Sequence, residues 1–313
     1  MRAKVKNQKS PFYLRLICMI LLGVTQTSCK TLSNDNKAII AAGAKLTLVA
    51  DGFKFTEGPA ADKLGNVYFT DQPNDRIIKW NAIDNTVSDY MKPSGRSNGL
   101  YFDQQGNLLA AADQENEVWR IDSEKKVTVL INGFDGKKLN GPNDLWVDSK
   151  GGIYFTDPYY QRPWWTHKAA EQKSKRVYYL AKNSDTPKIV ADDNFIQPNG
   201  IIGTPDGKTL YVSDLGDKKT YSYTIEVNGT LSHKKLFVDL GSDGMTIDHL
   251  GNIYLTGDGV TVFNSNGQHI EHIIVPQNWT ANVTFGGLNR KTLFITAMDS
   301  VYTLEMTVNG VIN

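Results

Sequence analysis

The sequence predicts an all-β fold, a six-bladed β-propeller. A short pattern, in which an acidic turn and a glycine precede an apolar strand, occurs six times, and its copies end at residues 68, 109, 154, 211, 254 and 294. Successive copies are therefore 41, 45, 57, 43 and 40 residues apart. A period in the low forties, with short β-branched and aromatic runs, is typical of propeller blades of four strands each.

The repeated turns are predicted to be structural. Four of them begin with an aspartate three residues before a glycine, namely Asp62, Asp103, Asp148 and Asp248. Aspartate bonds its own backbone in such turns and glycine supplies positive φ, which indicates hairpins. The last copy is followed by one more strand, Val301 to Met306, so the sixth blade lacks a strand. Lys45 to Ala50 is predicted to supply it and to remove the open edge.

Residues 1–29 are predicted to be a targeting segment. The chain begins with four basic residues, Arg2, Lys4, Lys6 and Lys9. The apolar stretch from Phe12 to Val24 is too short for an ordinary membrane helix, and Thr25-Gln-Thr-Ser-Cys29 follows it. The segment resembles a bacterial lipoprotein signal in which Cys29 is lipidated; a plain cleaved secretory signal is the alternative.

This interpretation implies a periplasmic or cell-envelope lipoprotein of a bacterium, with Cys29 as its only membrane contact. Residues 30–43 are predicted to be a short tether and residues 44–313 the propeller. Both cysteines, Cys18 and Cys29, precede the tether, so the propeller has no disulfide, zinc–thiolate site or cysteine nucleophile. The net charge of +1 indicates no basic field for nucleic acid. The oligomeric state is left open.

One position of the repeat carries polar residues in nearly every copy. Eleven residues before the end of each copy, with one extra residue allowed in the fourth turn, stand Glu57, Asn98, Asn143, Asn199, Asp243 and Val283. Equivalent positions on innermost strands share one radius and one height, so these side chains should converge on the tunnel axis. Five of the six carry oxygen, which suits a hard cation such as Ca²⁺, with Mg²⁺, Mn²⁺ and Zn²⁺ as alternatives. A polar, water-filled tunnel or a purely structural ion would also explain the pattern.

At these residues the chain resembles the senescence marker protein/gluconolactonase/luciferin-regenerating family, over about residues 45 to 310. The matching strings include Thr56-Glu57-Gly58-Pro59, Gly141-Pro142-Asn143-Asp144-Leu145, Gln197-Pro198-Asn199-Gly200-Ile201 and Ser242-Asp243-Gly244-Met245. The resemblance implies a propeller hydrolase that opens a sugar lactone with one divalent cation and acts on a small molecule. It implies four metal ligands, Glu57, Asn143, Asn199 and Asp243. It also implies that Asp243 is the catalytic acid/base or nucleophile.

Substrate contacts are expected from Asn98, Asn143, Asp144, Tyr160 and Trp164. Asn98 and Asp144 have a hydrogen-bonded structural role as their alternative. Tyr160 and Trp164 lie with Trp165 and His167 on an insertion after the third copy, which either covers the site as a lid or packs on the propeller. At position 141, where some sugar-lactone members of the family have a substrate-binding arginine, this chain has glycine.

Two other functions stay open at this point. A phosphotriesterase or another esterase would use the same metal site, and a non-catalytic propeller would bind partners at the cell surface.

Overall fold

The prediction of a six-bladed, all-β propeller is confirmed. The computed structural model describes residues 38–192 and 194–311. Within these ranges the regular structure consists of 24 β-strands and one three-residue 3-10 helix, Gln72–Asn74. The strands form six sheets of four strands each. None of the described residues belongs to a helix long and apolar enough to cross a membrane.

The blades follow one another along the chain as antiparallel sheets. Blade 1 contains β2 (Thr56–Ala61), β3 (Val67–Asp71), β4 (Arg76–Trp80) and β5 (Val87–Met91). Blade 2 contains β6 (Ser97–Phe102), β7 (Leu108–Ala112), β8 (Glu117–Ile121) and β9 (Val127–Ile131). Blade 3 contains β10 (Leu145–Val147), β11 (Ile153–Asp157), β12 (Arg176–Leu180) and β13 (Lys188–Ala191).

The second half repeats the same order. Blade 4 contains β14 (Pro198–Gly203), β15 (Thr209–Asp214), β16 (Lys219–Ile225) and β17 (Leu231–Val238). Blade 5 contains β18 (Met245–Ile247), β19 (Ile253–Gly257), β20 (Gly259–Phe263) and β21 (His269–Ile273). Blade 6 contains β22 (Asn282–Gly286), β23 (Thr292–Ala297), β24 (Ser300–Glu305) and, from the start of the chain, β1 (Thr47–Ala50).

The ring closes as the sequence predicts. β1 pairs antiparallel with β24, with Thr47 opposite Thr303 and Leu48 opposite Tyr302. Each innermost strand contacts the next, from β2 through β6, β10, β14 and β18 to β22, and β22 contacts β2. The outer edge of blade 6 is therefore paired, which removes an exposed strand edge.

Residues 38–43, the end of the predicted tether, lie against blade 6. Ile39 is buried beside Met306 and Val308, and the Ala41 amide donates to the Glu305 carbonyl at 3.0 Å. The predicted signal segment, including Cys29, lies outside the described residues.

The repeated aspartates have the structural role predicted for them. Asp62 Oδ1 accepts hydrogen bonds from the Leu64 and Asn66 amides at 2.9 and 3.0 Å. Gly65 in the same turn has a φ of 86°, which a side chain would disfavour. The equivalent aspartates of blades 2, 3 and 5 accept the same kind of backbone bond. These turns hold the first two strands of a blade in register.

The hydrophobic core lies between the blades and leaves the axis to polar residues. Between blades 1 and 6, Phe294 packs against Phe69 and Trp80 with ring centroids 5.5 and 5.4 Å apart. All three side chains are buried. Burial of each such side chain contributes about 1.5–3 kcal/mol, so the inter-blade layers hold the ring together.

Strand direction decides which loops meet at one end of the tunnel. In each blade the innermost strand runs toward the hairpin turn, and the second strand returns to the opposite face. The connection between the second and third strands therefore lies on the face where the innermost strand begins, which we call the site face. The insertion predicted over residues 159–176 falls almost entirely in the connection between β11 and β12, residues 158–175, and this connection lies on the site face.

Candidate functional site

The five oxygen-bearing residues predicted from the repeat lie at the start of innermost strands or two residues before it, and all five are buried: Glu57, Asn98, Asn143, Asn199 and Asp243. Hydrogen bonds and charge connect residues of different blades. Asn199 Nδ2 donates to Asp243 Oδ1 at 2.7 Å, and the Gly99 amide donates to the Asn143 carbonyl at 2.7 Å. Burial raises the pKa of Glu57, and the charge of Asp243 raises it further. The structure therefore brings the predicted set together at the axis.

Glycines let the innermost strands approach one another closely. A Cβ on Gly99 would lie 2.5 Å from the Asn143 carbonyl oxygen, and one on Gly200 would lie 2.8 Å from that of Asp243. Real Cβ atoms do not come so near to backbone oxygen, so a side chain at either position would push neighbouring blades apart. The glycine that follows a site residue thus sets the narrow diameter of the polar ring.

The sixth blade contributes Asn282 to the axis, which corrects the assignment of Val283. Asn282 Nδ2 lies 3.2 Å from Glu57 Oε2 and 3.4 Å from Asp144 Oδ2. Val283 instead packs in the core with Leu293 and Ile295. The polar ring therefore has a member in every blade.

The reason for the error is a longer hairpin. Glu57 lies opposite Thr70, thirteen residues later, whereas Asn282 lies opposite Thr296, fourteen residues later. A count that allows one extra residue in the sixth turn, as in the fourth, moves the register from Val283 to Asn282. The threonine on the second strand of the blade, Thr296, was the sequence signal that could have identified Asn282, because Thr70 lies opposite Glu57 in the same way.

Three buried carboxyl groups surround the axis. Burial raises the pKa of Glu57 well above its usual range, and the charges of Asp243 and Asp144 add to the effect. Burial also raises the pKa of Asp243 to about 6 and that of Asp144 to about 7. Negative charges that are buried close together repel one another. This arrangement therefore favours either protonation of the carboxyl groups or a bound cation.

Asp243 is held by two donors. Trp279 Nε1 donates to Oδ2 at 2.6 Å, while Asn199 donates to Oδ1. Both bonds lower the pKa of Asp243 and oppose the effect of burial. Trp279 lies between β21 and β22 and belongs to no repeated pattern, so sequence reasoning missed it.

Asp144 lies toward the other end of the tunnel. Its Oδ1 accepts the Leu145 amide at 3.0 Å, and the residue lines a cavity of about 280 Å³ that extends to the hairpin turns. The walls of this cavity are mostly apolar and include Leu100, Leu145, Ile201, Met245 and Val283. The structure thus separates Asp144 from the loops of the site face.

The insertion has two roles. Tyr160 reaches the ring, because its hydroxyl oxygen accepts a hydrogen bond from Asn199 Nδ2 at 3.0 Å. Trp165 is buried, donates to the Asp113 carbonyl at 2.7 Å and stacks on His167 at 4.6 Å, which is a packing role. Two guanidinium groups contact the Trp164 ring, those of Arg96 and Arg162, at 4.6 and 5.8 Å from its centre.

The donor set fits a hard cation. Asn98 Oδ1 is buried and has no hydrogen-bond partner among the described residues, which costs about 1–3 kcal/mol unless a ligand satisfies it. Across residues 38–192 and 194–311, no cluster of three or more His, Cys, Asp and Glu side chains could hold a metal by itself. A cation at the axis would therefore need the asparagine oxygens together with the carboxylates, as Ca²⁺ accepts.

Comparison with known proteins identifies the family. Residues 55–299 match the SMP-30/Gluconolactonase/LRE-like region. The chain belongs to this family. Membership in the SMP-30/gluconolactonase/LRE-like family confirms the resemblance that the matching strings indicated.

Similar proteins align with most of this chain. A gluconolactonase from Zymomonas mobilis is 29% identical over 306 residues, with 87% of this chain and 84% of the relative covered. The solved structure of a gluconolactonase from Xanthomonas campestris is 29% identical, with a TM-score of 0.80 and coverage of 86% and 91%. Regucalcin from Agrobacterium tumefaciens, at 18% identity and a TM-score of 0.71 over 86% of this chain and 96% of that one, shares the fold.

Proposed function

We propose that this member of the family is a lactonase that hydrolyses sugar lactones with one divalent cation at the tunnel axis. The observation that carries the proposal is the buried ring of carboxylate and amide oxygens, which includes Glu57, Asn143, Asn199 and Asp243. Relatives that cover most of the chain are named gluconolactonases, which supports the substrate class.

The four residues would hold the cation, and Ca²⁺ suits them best. Their donors are oxygens of two carboxylates and two amides, without histidine or cysteine, and Ca²⁺ takes six to eight such ligands in loose geometry. When bound, the cation would polarise the lactone carbonyl and stabilise the negative charge that develops on it. The unpartnered Asn98 Oδ1 leaves a further acceptor for a substrate hydroxyl.

Asp243 is the proposed general base. As a carboxylate it accepts a proton from the attacking water while the water oxygen bonds to the carbonyl carbon. It then returns that proton to the ring oxygen as the ester C–O bond breaks, so the product is the open hydroxy acid. Trp279 and Asn199 orient the carboxylate through the bonds at 2.6 and 2.7 Å.

Substrate turnover tests the proposal against its rivals. A panel of an aldonolactone, a simple carboxylic ester and a phosphotriester is assayed by pH-stat with added Ca²⁺. We expect the aldonolactone to be hydrolysed fastest. Faster turnover of the phosphotriester or the ester would favour the esterase alternative, and no turnover of any would favour a binding protein.

The raised pKa values predict how stability depends on pH and metal. In metal-stripped protein the folded carboxyls of Asp243 and Asp144 have pKa values of about 6 and 7, above the values near 4 of unfolded chains. The folded state thus binds more protons, so this contribution to stability is present below pH 4 and is lost as pH rises through 6 to 7.

Added Ca²⁺ should therefore raise the melting temperature more at pH 8 than at pH 5. At one hundred times its dissociation constant, a ligand of the folded state adds about 2.7 kcal/mol to the free energy of unfolding. Calorimetry of stripped and Ca²⁺-loaded protein at both pH values measures the difference. An equal shift at both pH values would contradict the assignment of ionised carboxylates as ligands.

The N-terminal segment supports a proposal about location. We propose that the protein is an exported lipoprotein of the bacterial envelope, anchored at Cys29, a residue outside the described ranges. Cys29→Ala should move the protein from the membrane fraction to the soluble fraction with its activity retained. Fractionation followed by the lactonase assay measures both. Unchanged membrane association of the variant would refute the anchor.

A further inference from the structure

Arg162, on the insertion over the site face, has hydrogen-bonding capacity that the protein does not use. Its Nε lies 2.6 Å from Asp113 Oδ2. Neither of its Nη atoms takes part in a hydrogen bond among residues 38–192 and 194–311. Its side chain is 20% exposed, whereas that of Asp113 is 2% exposed. One edge of the guanidinium is thus anchored in the protein, and the other is open to a ligand.

The anchor is rigid because three loops meet on it. Asp113 follows β7, and its Oδ2 also accepts a hydrogen bond from Gln72 Nε2 of blade 1 at 3.0 Å. Its backbone carbonyl accepts Trp165 Nε1 from the insertion. Separation of the pair would leave the buried Asp113 carboxylate without its partner, which is strongly destabilising. The pair therefore holds the Arg162 guanidinium in one place.

The guanidinium lies beside the ring at the axis. It contacts the face of Tyr160, 5.4 Å from the ring centre, and the Tyr160 hydroxyl is bonded to the proposed ligand Asn199. The Tyr160 side chain thus links this cation to a residue of the ring at the axis.

No side chain fits at position 141, two residues before Asn143. Gly141 has a φ of 136°, and a Cβ there would lie 2.8 Å from the Trp165 ring and 2.9 Å from Asp113 Oδ1. The insertion and its anchor occupy this space. Position 141 therefore offers no polar side chain to a ligand near Asn143, whereas the insertion that fills this space carries Arg162.

We propose that Arg162 is the residue that selects polyhydroxylated lactones, by donating Nη hydrogen bonds to substrate hydroxyl oxygens away from the reacting carbonyl. The inference rests on the proposed lactonase function and adds its specificity determinant. Neutral hydroxyls suit the site better than an anionic substituent, because three acids on this side of the tunnel are buried: Glu57, Asp113 and Asp243. A guanidinium fork with fixed orientation is well suited to bind two neighbouring oxygens.

Kinetics with two substrates test the proposal. For Arg162→Gln we expect kcat/KM for glucono-δ-lactone to fall about 10- to 100-fold, as for loss of a hydrogen bond to a charged donor, chiefly through KM. The value for δ-valerolactone, which lacks hydroxyls, should change less than about 3-fold. Arg162→Lys should retain part of the preference. Arg120→Gln, an exposed arginine on β8, is the matched control and should change neither value.

Two results would overturn the role of Arg162. Equal losses for both lactones would mean that it only supports the loop, and unchanged values would mean that it does not contact substrate. Calorimetric binding of 1,5-anhydroglucitol, a neutral ring analogue that has the hydroxyls but no carbonyl, gives a readout independent of turnover. If wild-type protein hydrolyses neither lactone while Arg162→Gln still weakens binding of this analogue about 10-fold or more, the proposed function fails and the hydroxyl subsite stands. Unchanged affinity for the analogue in the variant would refute the subsite.

Discussion

Asp243→Asn should abolish lactone hydrolysis, with a loss in kcat of about 10²-fold or more, as expected when a positioned general base is removed. The amide keeps the size of the side chain and one oxygen for the cation. It cannot accept the proton of the attacking water, and its amide nitrogen replaces an acceptor facing either Trp279 or Asn199. The rate should therefore fall even when the metal site is filled.

The control is the metal content of the variant. Initial rates are measured by pH-stat at a Ca²⁺ concentration that saturates the variant, as determined by calorimetry. Asn98→Ala, which removes a side chain whose Oδ1 has no hydrogen-bond partner among the described residues, should be milder. Full activity of Asp243→Asn with metal bound would show that Asp243 is not the base.

Glu57→Gln should act mainly through metal affinity. Glu57 lies at the ring with its Oε2 near Asn282 Nδ2, and its carboxylate supplies one of the two negative charges among the proposed ligands. Loss of that charge should weaken Ca²⁺ binding by at least about 10-fold. Even mutation of residues that only orient metal ligands lowers metal affinity about 10- to 100-fold. Excess Ca²⁺ should then restore much of the rate.

Activity measured against Ca²⁺ concentration separates this effect from a catalytic one. Glu124→Gln, in an exposed turn of blade 2, removes the same charge away from the axis and should leave the curve unchanged. An unaltered half-saturating Ca²⁺ concentration in Glu57→Gln would exclude Glu57 as a ligand.

The fold was predictable because its signals are local. Asp62 and its equivalents bond their own turns, so each copy of the pattern specifies a hairpin independently of the rest of the chain. The closing strand was predictable because the last blade lacked a strand and one candidate segment remained, Lys45 to Ala50, of which Thr47–Ala50 forms the strand. Equivalent positions of the repeat then predicted five members of the ring.

The remaining site residues depend on contacts that no local pattern specifies. Asn282 was displaced by one residue because the sixth hairpin is longer. Trp279 meets Asp243 from a loop 36 residues later, and Arg162 meets Asp113 across 49 residues. Such pairs form only when loops of different blades converge on the site face. The repeated pattern therefore does not predict them.

Removal of metal tests the central claim most directly. Protein treated with a chelator and then dialysed is checked for metal by mass spectrometry, and glucono-δ-lactone hydrolysis is followed by pH-stat. Ca²⁺, Mg²⁺, Mn²⁺ and Zn²⁺ are then added back separately. We expect the metal-free protein to lose its activity and about one equivalent of Ca²⁺ per chain to restore it. Full activity in protein shown to contain no metal would contradict a catalytic cation at the tunnel axis.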